Sequence, residues 1–289
     1  MAARPQRTTQ YVTEVVDTRR WDSFVHRPGD IFVCTPPKCG TTWMQTICVM
    51  LVQGTPEIDG RVADISRWLD QTRIPLDDTL AALESQSRRR VIKTHTPLDG
   101  IPYFDDCTYL AVYRDPRDAF FSGRNHRDNF QLSQTRTLIE DPDADLLASM
   151  QQPASSLTGF KYILHHCQTF KAFEHLDNIH VFHYADLSRD LARNVRRVAD
   201  ALGIRLGDDV LDGIVDAATF SNMKKNFDRY IPGAGQGIWV DDTRFLNKGT
   251  HGQWRGVLSP ESLAAYDSMM REQLPAEDIA WLQQGSESP

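Results

Sequence analysis

The chain has 289 residues, of which 40% are hydrophobic and 25% charged, an ordinary globular composition with enough apolar material for a sizeable core. Its formal net charge of −7 excludes a general nucleic-acid binder that coats phosphates, yet a few focused cations still suffice for a small polyanion. The five cysteines, Cys34, Cys39, Cys48, Cys107 and Cys167, make no CxxC pair and no zinc-like spacing, so no metal is expected and a reduced, cytoplasmic setting is.

In chain order, residues 1 to about 25 read as a loosely ordered lead-in without the apolar stretch of a secretory signal. Ile31-Phe32-Val33-Cys34 reads as a buried parallel strand. A loop then leads into a helix over 41–53, where Trp43, Ile47 and Leu51 share a face. The most apolar run, Trp43 to Val52, is too short to span a bilayer and contains Gln45, so no membrane span is expected. A polar, partly helical segment (61–90) precedes a second strand, Arg90-Val91-Ile92-Lys93. A third strand runs from Thr108 to Tyr113 and ends at Arg114, with a helix starting near Pro116. Phe160, Ile163, Leu164, Cys167, Phe170 and Phe173 trace a further helix face, followed by a fourth strand from Ile179 to Tyr184. Leu191, Val195, Val198 and Leu202 mark a helix stopping at Gly203. Ser259-Pro260 opens a last helix, and Gly285 to Pro289 reads as a frayed tail.

Strands alternating with helices predict an α/β fold: a mostly parallel central sheet covered by helices on both faces, in one domain spanning 1–289. Ligands of such sheets sit at the carboxyl ends of the strands. Those ends carry Lys38 and its loop, Lys93-Thr94-His95, Arg114, and Tyr184 to Asp186. Three cations and a histidine at positions chosen by topology alone point to an anionic ligand. Thr35-Pro36-Pro37-Lys38-Cys39-Gly40-Thr41-Thr42-Trp43 has the strand–loop–helix form that aims backbone amides at a phosphate. Its Lys precedes its Gly, so it lacks the G-x-x-x-x-G-K-[ST] spacing of ordinary ATPases and GTPases. His95, beside Lys93, suits a general base for a hydroxyl. Ser122, two turns along the helix after Arg114, lies in reach of the same phosphate; Arg117 and Asp118 read as a surface ion-pair network. Asn247-Lys248-Gly249-Thr250-His251-Gly252-Gln253-Trp254 reads either as a mobile surface loop or as one closing over a phosphate.

Together these segments resemble the cytosolic sulfotransferases, enzymes that use 3′-phosphoadenosine 5′-phosphosulfate (PAPS), over about Ile31 to Trp254. Thr35 to Trp43 is similar to the family's 5′-phosphosulfate loop, T-Y-P-K-S-G-T-T-W, which implies cofactor contacts from Lys38, Cys39, Gly40, Thr41, Thr42 and Trp43. The resemblance further implies a 3′-phosphate site at Arg114 and Ser122, and an adenine site at Trp43, Tyr184, Thr219 and Phe220. Asn247, Lys248 and Gly249 match the closing R-K-G-x-x-G-D-W signature. It implies in-line sulfuryl transfer without a metal, with His95 as base, Lys38 neutralising the leaving phosphate and Lys93 supporting the sulfuryl oxygens.

Several positions depart from the family pattern. Pro36 replaces a Tyr, Cys39 a Ser, Ala218 a Thr and Asn247 an Arg. Weakened cofactor binding is expected, since a thiol donates weakly and a lost charge-assisted bond to phosphate costs roughly 1.5–3 kcal/mol. Cys39 is either a small stand-in for Ser or, at a helix N-terminus beside Lys38, an oxidisable thiol of lowered pKa. The family's dimerisation signature is not visible, leaving the oligomeric state open. Trp68, Tyr103, Phe104, Phe130, Phe227, Tyr230, Ile238 and Trp239 are the candidates for an aromatic or lipophilic hydroxyl acceptor's pocket, or simply core. The alternatives are a non-catalytic PAPS-binding protein and a nucleotide kinase on a related fold.

Overall fold

In the computed structural model, residues 3–131 and 139–286 are described. Four strands, β1 (Ile31–Cys34), β2 (Val91–Thr94), β3 (Thr108–Tyr113) and β4 (Ile179–His183), form one sheet in the order β2-β1-β3-β4. All three pairings are parallel; Cys34 stands opposite Thr94 on one side and Ala111 on the other. β1 is therefore flanked by strands reached in opposite directions, and its carboxyl end is the switch point where the chain leaves a crevice.

Strand side chains alternate between faces. Ile31, Val33, Leu110 and Val112 join one apolar layer with α1 (Thr41–Gln53), which is connected through α2 (Val62–Ile65) and α3 (Leu76–Glu84) to β2. Phe32, Cys34, Tyr109, Ala111 and Tyr113 enter the opposite layer. That layer is covered by α5 (Pro142–Gln151) and α6 (Gly159–Lys171), which follow α4 (Pro116–Asp128). After β4 come α7 (Tyr184–Arg189), α8 (Leu191–Ala201) and α9 (Asp208–Ala217), the last two closing the α1 face. Short helices α10 (Phe220–Lys225) and α11 (Phe227–Tyr230) precede α12 (Pro260–Gln273) and α13 (Ala276–Gln284). The predicted α/β sheet with helices on both faces is the observed one.

Four local expectations need correction. The first 25 residues are not a loose lead-in from residue 3 on. Tyr11, Val16, Trp21 and Phe24 are buried, and Trp21 packs edge-on to Phe24 and against Phe32 of β1. Its indole N–H donates to buried Asp70 at 3.1 Å; scattered aromatics without periodicity carried no sequence signal of this. Tyr184 opens α7 instead of ending β4, because the His183 ring accepts the Ala185 N–H at 3.1 Å and caps the helix. The helix begun at Pro260 is not the last, since Pro275 breaks the run and α13 follows. Of the tail, Gly285 and Ser286 are tied down, the Ser286 N–H donating to Asp186 at 3.0 Å; residues 287–289 lie outside those described.

Trp21 also fixes how the N-terminal segment lies on the sheet. Trp21→Ala is expected to lower unfolding free energy by about 3–5 kcal/mol, read from urea denaturation; a change below about 1 kcal/mol would show the segment to be an independent appendage.

Candidate active site

The loop between β1 and α1 turns on two residues with left-handed backbone, Lys38 (φ 68°) and Gly40 (φ 107°). A Cβ at Gly40 would stand 3.1 Å from the Tyr184 ring, so the turn needs glycine twice over. For Lys38 the conformation is a local cost of the kind held at functional sites. Gly40 is also the N-cap of α1 and has no side chain to accept from the first-turn amides, which leaves those N–H groups for a ligand. The Thr35 and Thr41 hydroxyls meet at 2.5 Å and close the loop from below.

Three cations converge on this crevice. Lys38 lies within hydrogen-bond distance (3.1 Å) of His126 Nδ1 on α4 and 4.9 Å from the Phe245 ring centre. Lys93 sits 4.3 Å over the face of Trp68. Arg114 is buried over Tyr184 at 4.4 Å and donates from Nη2 to the Thr250 carbonyl at 2.7 Å. Its buried Nε has no partner. Among the described residues, none of the three forms an ion pair with a carboxylate. Burial, then Arg114 and Lys93, pushes Lys38 down to about 7; burial pushes Lys93 down to about 8. Positive charge without a direct ion-pair partner, an orphaned guanidinium N–H and free helix amides together fit a ligand with two separated anionic groups.

His95 is buried beside this charge. Its Nδ1 donates to the Thr35 carbonyl at 2.6 Å, which leaves Nε2 as the unprotonated nitrogen. The Tyr162 hydroxyl donates to the His95 carbonyl and steadies the backbone, and Trp68 meets the ring edge-on at 4.8 Å. Burial, then Lys93, holds His95 well below the usual histidine range, so it is neutral and able to accept a proton at neutral pH.

On the other side of the loop, Trp43 donates from Nε1 to the Ala218 carbonyl at 2.8 Å and meets Tyr184 edge-on at 5.2 Å. Phe220 opens α10 and lies on Gly249, where a Cβ would come within 2.8 Å of the ring. Thr219 is the N-cap of α10; its hydroxyl accepts from the Asn222 N–H at 3.3 Å and donates to the Asp216 carbonyl at 2.8 Å. Asn247 accepts Lys224 at its carbonyl, 3.0 Å, and Lys248 is exposed. Ser122 is half-buried on the second turn of α4. The 247–254 segment is tied to α4, since Asp118 accepts the Gly252 and Gln253 N–H groups at 2.9 and 2.8 Å.

Several expected roles fail on placement. Arg117 and Asp118 are no surface network: both are buried, with Arg117 paired to Asp115 at 2.9 Å and stacked 3.9 Å over Trp254. Tyr103 and Phe104 lie at the amino end of the sheet, stacked on Tyr109 and Phe32, near the starts of β3 and β1. Tyr230 is buried in the α1-side core. Phe130 and Trp239 do face the Lys38 side, packed edge-on at 5.5 Å beside Phe245 and His126. Cys39 is fully buried among Tyr11, Ala119 and Tyr162, and burial pushes its thiol up to about 12; the lowered pKa expected at a helix N-terminus is overridden because the side chain turns into the core. His126, Phe245 and Asp70 were missed. His126 sits in a polar stretch, Gly123 to Asp128, that reads as solvated helix, and only the fold brings it to Lys38.

Residues 28–277 match the model of the sulfotransferase domain. The chain belongs to the sulfotransferase family. It is 33% identical to a glycolipid sulfotransferase of Mycobacterium tuberculosis, covering 95% of this chain and 94% of the relative, and 25% identical to mouse sulfotransferase 2A1 over 91% and 90%. In fold it is similar to a mouse sulfotransferase solved with PAP, with TM-score 0.71, 21% identity and coverage of 90% and 88%. Retinol dehydratase, solved with retinol and PAP, gives TM-score 0.73 at 21% identity over 89% and 84%. Family membership removes the nucleotide kinase alternative. No helix among the described residues is long and apolar enough to cross a membrane.

A thiol so buried should be inert. Iodoacetamide at pH 8 is expected to leave Cys39 unmodified in the folded protein by peptide mass mapping, and ready modification there would return it to the exposed, reactive class.

Proposed function

We propose that this sulfotransferase moves a sulfuryl group from PAPS to the hydroxyl of a lipophilic acceptor, in one catalytic domain. The reading is carried by one observation: His95 presents an unprotonated Nε2 beside Lys38 and Lys93, neither of which forms an ion pair among the described residues. PAPS would supply the sulfuryl group and the leaving phosphate, and PAP is the nucleotide seen with similarly folded proteins. Lys38 and the first-turn amides of α1 hold the 5′ end, Arg114 and Ser122 the 3′-phosphate, and Trp43, Tyr184 and Phe220 the adenine. Thr219, Asn247, Lys248 and Gly249 shape the wall around it.

His95 Nε2 takes the acceptor's proton as its oxygen bonds to sulfur. The sulfur–oxygen bond to the nucleotide breaks, and Lys38 neutralises the charge left on that phosphate, while Lys93 supports the sulfuryl oxygens. Positioning and electrostatics carry the step, with no metal required.

Phe130, Trp239 and Phe245 form the apolar wall next to Lys38. Such a wall suits an alkyl or sugar-ring face, and relatives that cover nearly the whole chain are named for glycolipids; a glycolipid hydroxyl is the acceptor class we favour. Five free, buried cysteines support a cytoplasmic location.

His95→Ala is expected to cut turnover by about 10²-fold or more while PAP affinity by calorimetry stays within about twofold. Turnover within a few-fold of the parent removes His95 from the role. Arg114→Ala is expected to erase the preference for PAP over adenosine 5′-phosphate; an unchanged preference places the 3′-phosphate elsewhere.

A further inference from the structure

The sulfotransfer reading leaves one buried carboxylate unused. Asp70 is fully buried and no ion pair reaches it among the described residues; what reaches it is a set of four donors. Oδ1 accepts the Trp68 indole N–H at 2.7 Å. Oδ2 accepts the Trp21 indole at 3.1 Å and the Thr94 and Thr96 hydroxyls at 2.6 Å each. Four donors fill the acceptor capacity of a carboxylate and favour its charged form, against burial, which raises its pKa above the ordinary value. A carboxamide keeps one acceptor oxygen and either turns its NH₂ on an indole N–H or makes the threonine hydroxyls reverse their roles.

Three of the four donors, Trp68, Thr94 and Thr96, come from residues that contact or flank His95 and Lys93. Thr94 and Thr96 flank His95 in sequence, and the Thr96 N–H donates back to Thr94 Oγ1 at 2.9 Å, so the turn carrying the imidazole is drawn tight around the carboxylate. Trp68 presents its ring edge-on to His95 and its face to Lys93 Nζ. Lys93 and Trp68 also share a parallel bridge, with Lys93 N–H donating to the Arg67 carbonyl at 2.8 Å. Trp21 brings in the N-terminal segment as the outer wall.

We infer that Asp70 is the positioning residue of the acceptor half of the site: one buried anion fixes the indole on which Lys93 rests and the turn that aims His95, and supplies the negative charge facing Lys93. It touches no reacting atom, so its action passes through Trp68, Thr94 and Thr96. The inference rests on His95 and Lys93 having the roles proposed above.

The charge makes it separable from a scaffold. The groups facing Asp70 are the two indoles, the two hydroxyls, Lys93, the Cys34 thiol, the Tyr162 hydroxyl and Arg20. Of these, Lys93 is the cation at the site. Burial lowers its pKa to about 8 and Asp70 holds it up. Lys93 acts protonated, so activity falls as pH rises through its pKa. Removing the anion lowers that pKa, and the fall must come at lower pH. Lys38, His95 and His126 are the other titratable groups at the crevice; Lys93 lowers the pKa of each, so its earlier loss of a proton moves theirs up, opposite in sign to the shift expected for Lys93.

The test uses the full chain with PAPS and a glycolipid acceptor, comparing Asp70→Asn, Trp68→Phe and His95→Ala. Asp70→Asn is expected to lower kcat by about 10- to 10²-fold with PAP affinity within about twofold, and to move the alkaline limb of kcat/KM down by about one pH unit. Trp68→Phe keeps the ring and drops one donor; a fall in kcat of about 3- to 10-fold with PAP affinity retained is expected, and it decides the matter should Asp70→Asn not fold. Asp70→Asn with kcat within twofold and an unmoved alkaline limb overturns the inference, as does Trp68→Phe with unchanged kcat. If His95→Ala retains activity, the base assignment falls instead, whatever Asp70→Asn does.

Discussion

Everything in this molecule's crevice depends on positive charge held in a half-dry place with no direct ion pair to a carboxylate among the described residues. Lys38, Lys93 and Arg114 stand at the carboxyl ends of neighbouring strands or just beyond them. Nearby acidic groups are engaged by other donors: Asp115 by Arg117, Asp118 by the amides of Gly252 and Gln253, and Asp70 by two indoles and two hydroxyls. Such an arrangement costs stability in the free protein, as the depressed Lys38 and Lys93 pKa values record, and returns it when an anion arrives.

The same charge sets the chemistry next to it. Neighbouring Lys93 and burial keep His95 neutral, and the Thr35 carbonyl chooses which nitrogen stays free. Because Thr35 also closes the loop through Thr41, His95 and the Lys38 loop share one residue, and a shift in one moves the other.

Much of this was legible because short motifs carry local geometry. Strand, Lys, Gly and two hydroxyls at a helix start predict both the turn and its ligand type, and the strand ends supply Lys93, His95 and Arg114 in order. Illegible were contacts between distant segments with no periodic signal. Asp70 lies in a loop and looks like any solvated acid, Trp21 like part of a loose tail, and His126 like the polar face of a helix. Which of the two readings of Cys39 holds was illegible for the same reason, since a loop residue's side-chain direction is set by what packs around it. Tyr103 and Phe104 were aromatic residues between motifs, and nothing local says which end of the sheet they reach.

The sequence by itself determined the parallel α/β sheet, the position of the anion loop and the chemical types at the strand ends, because periodicity, glycine and proline placement and strand termini are local properties. Only the tertiary structure decided which of those groups lack a direct ion-pair partner, which histidine nitrogen is free, which aromatics wall the site and which acid is buried beneath it. Those are properties of packing, burial and long-range pairing, where partners lie tens of residues apart and the dielectric around a side chain exists only once the chain has closed over it.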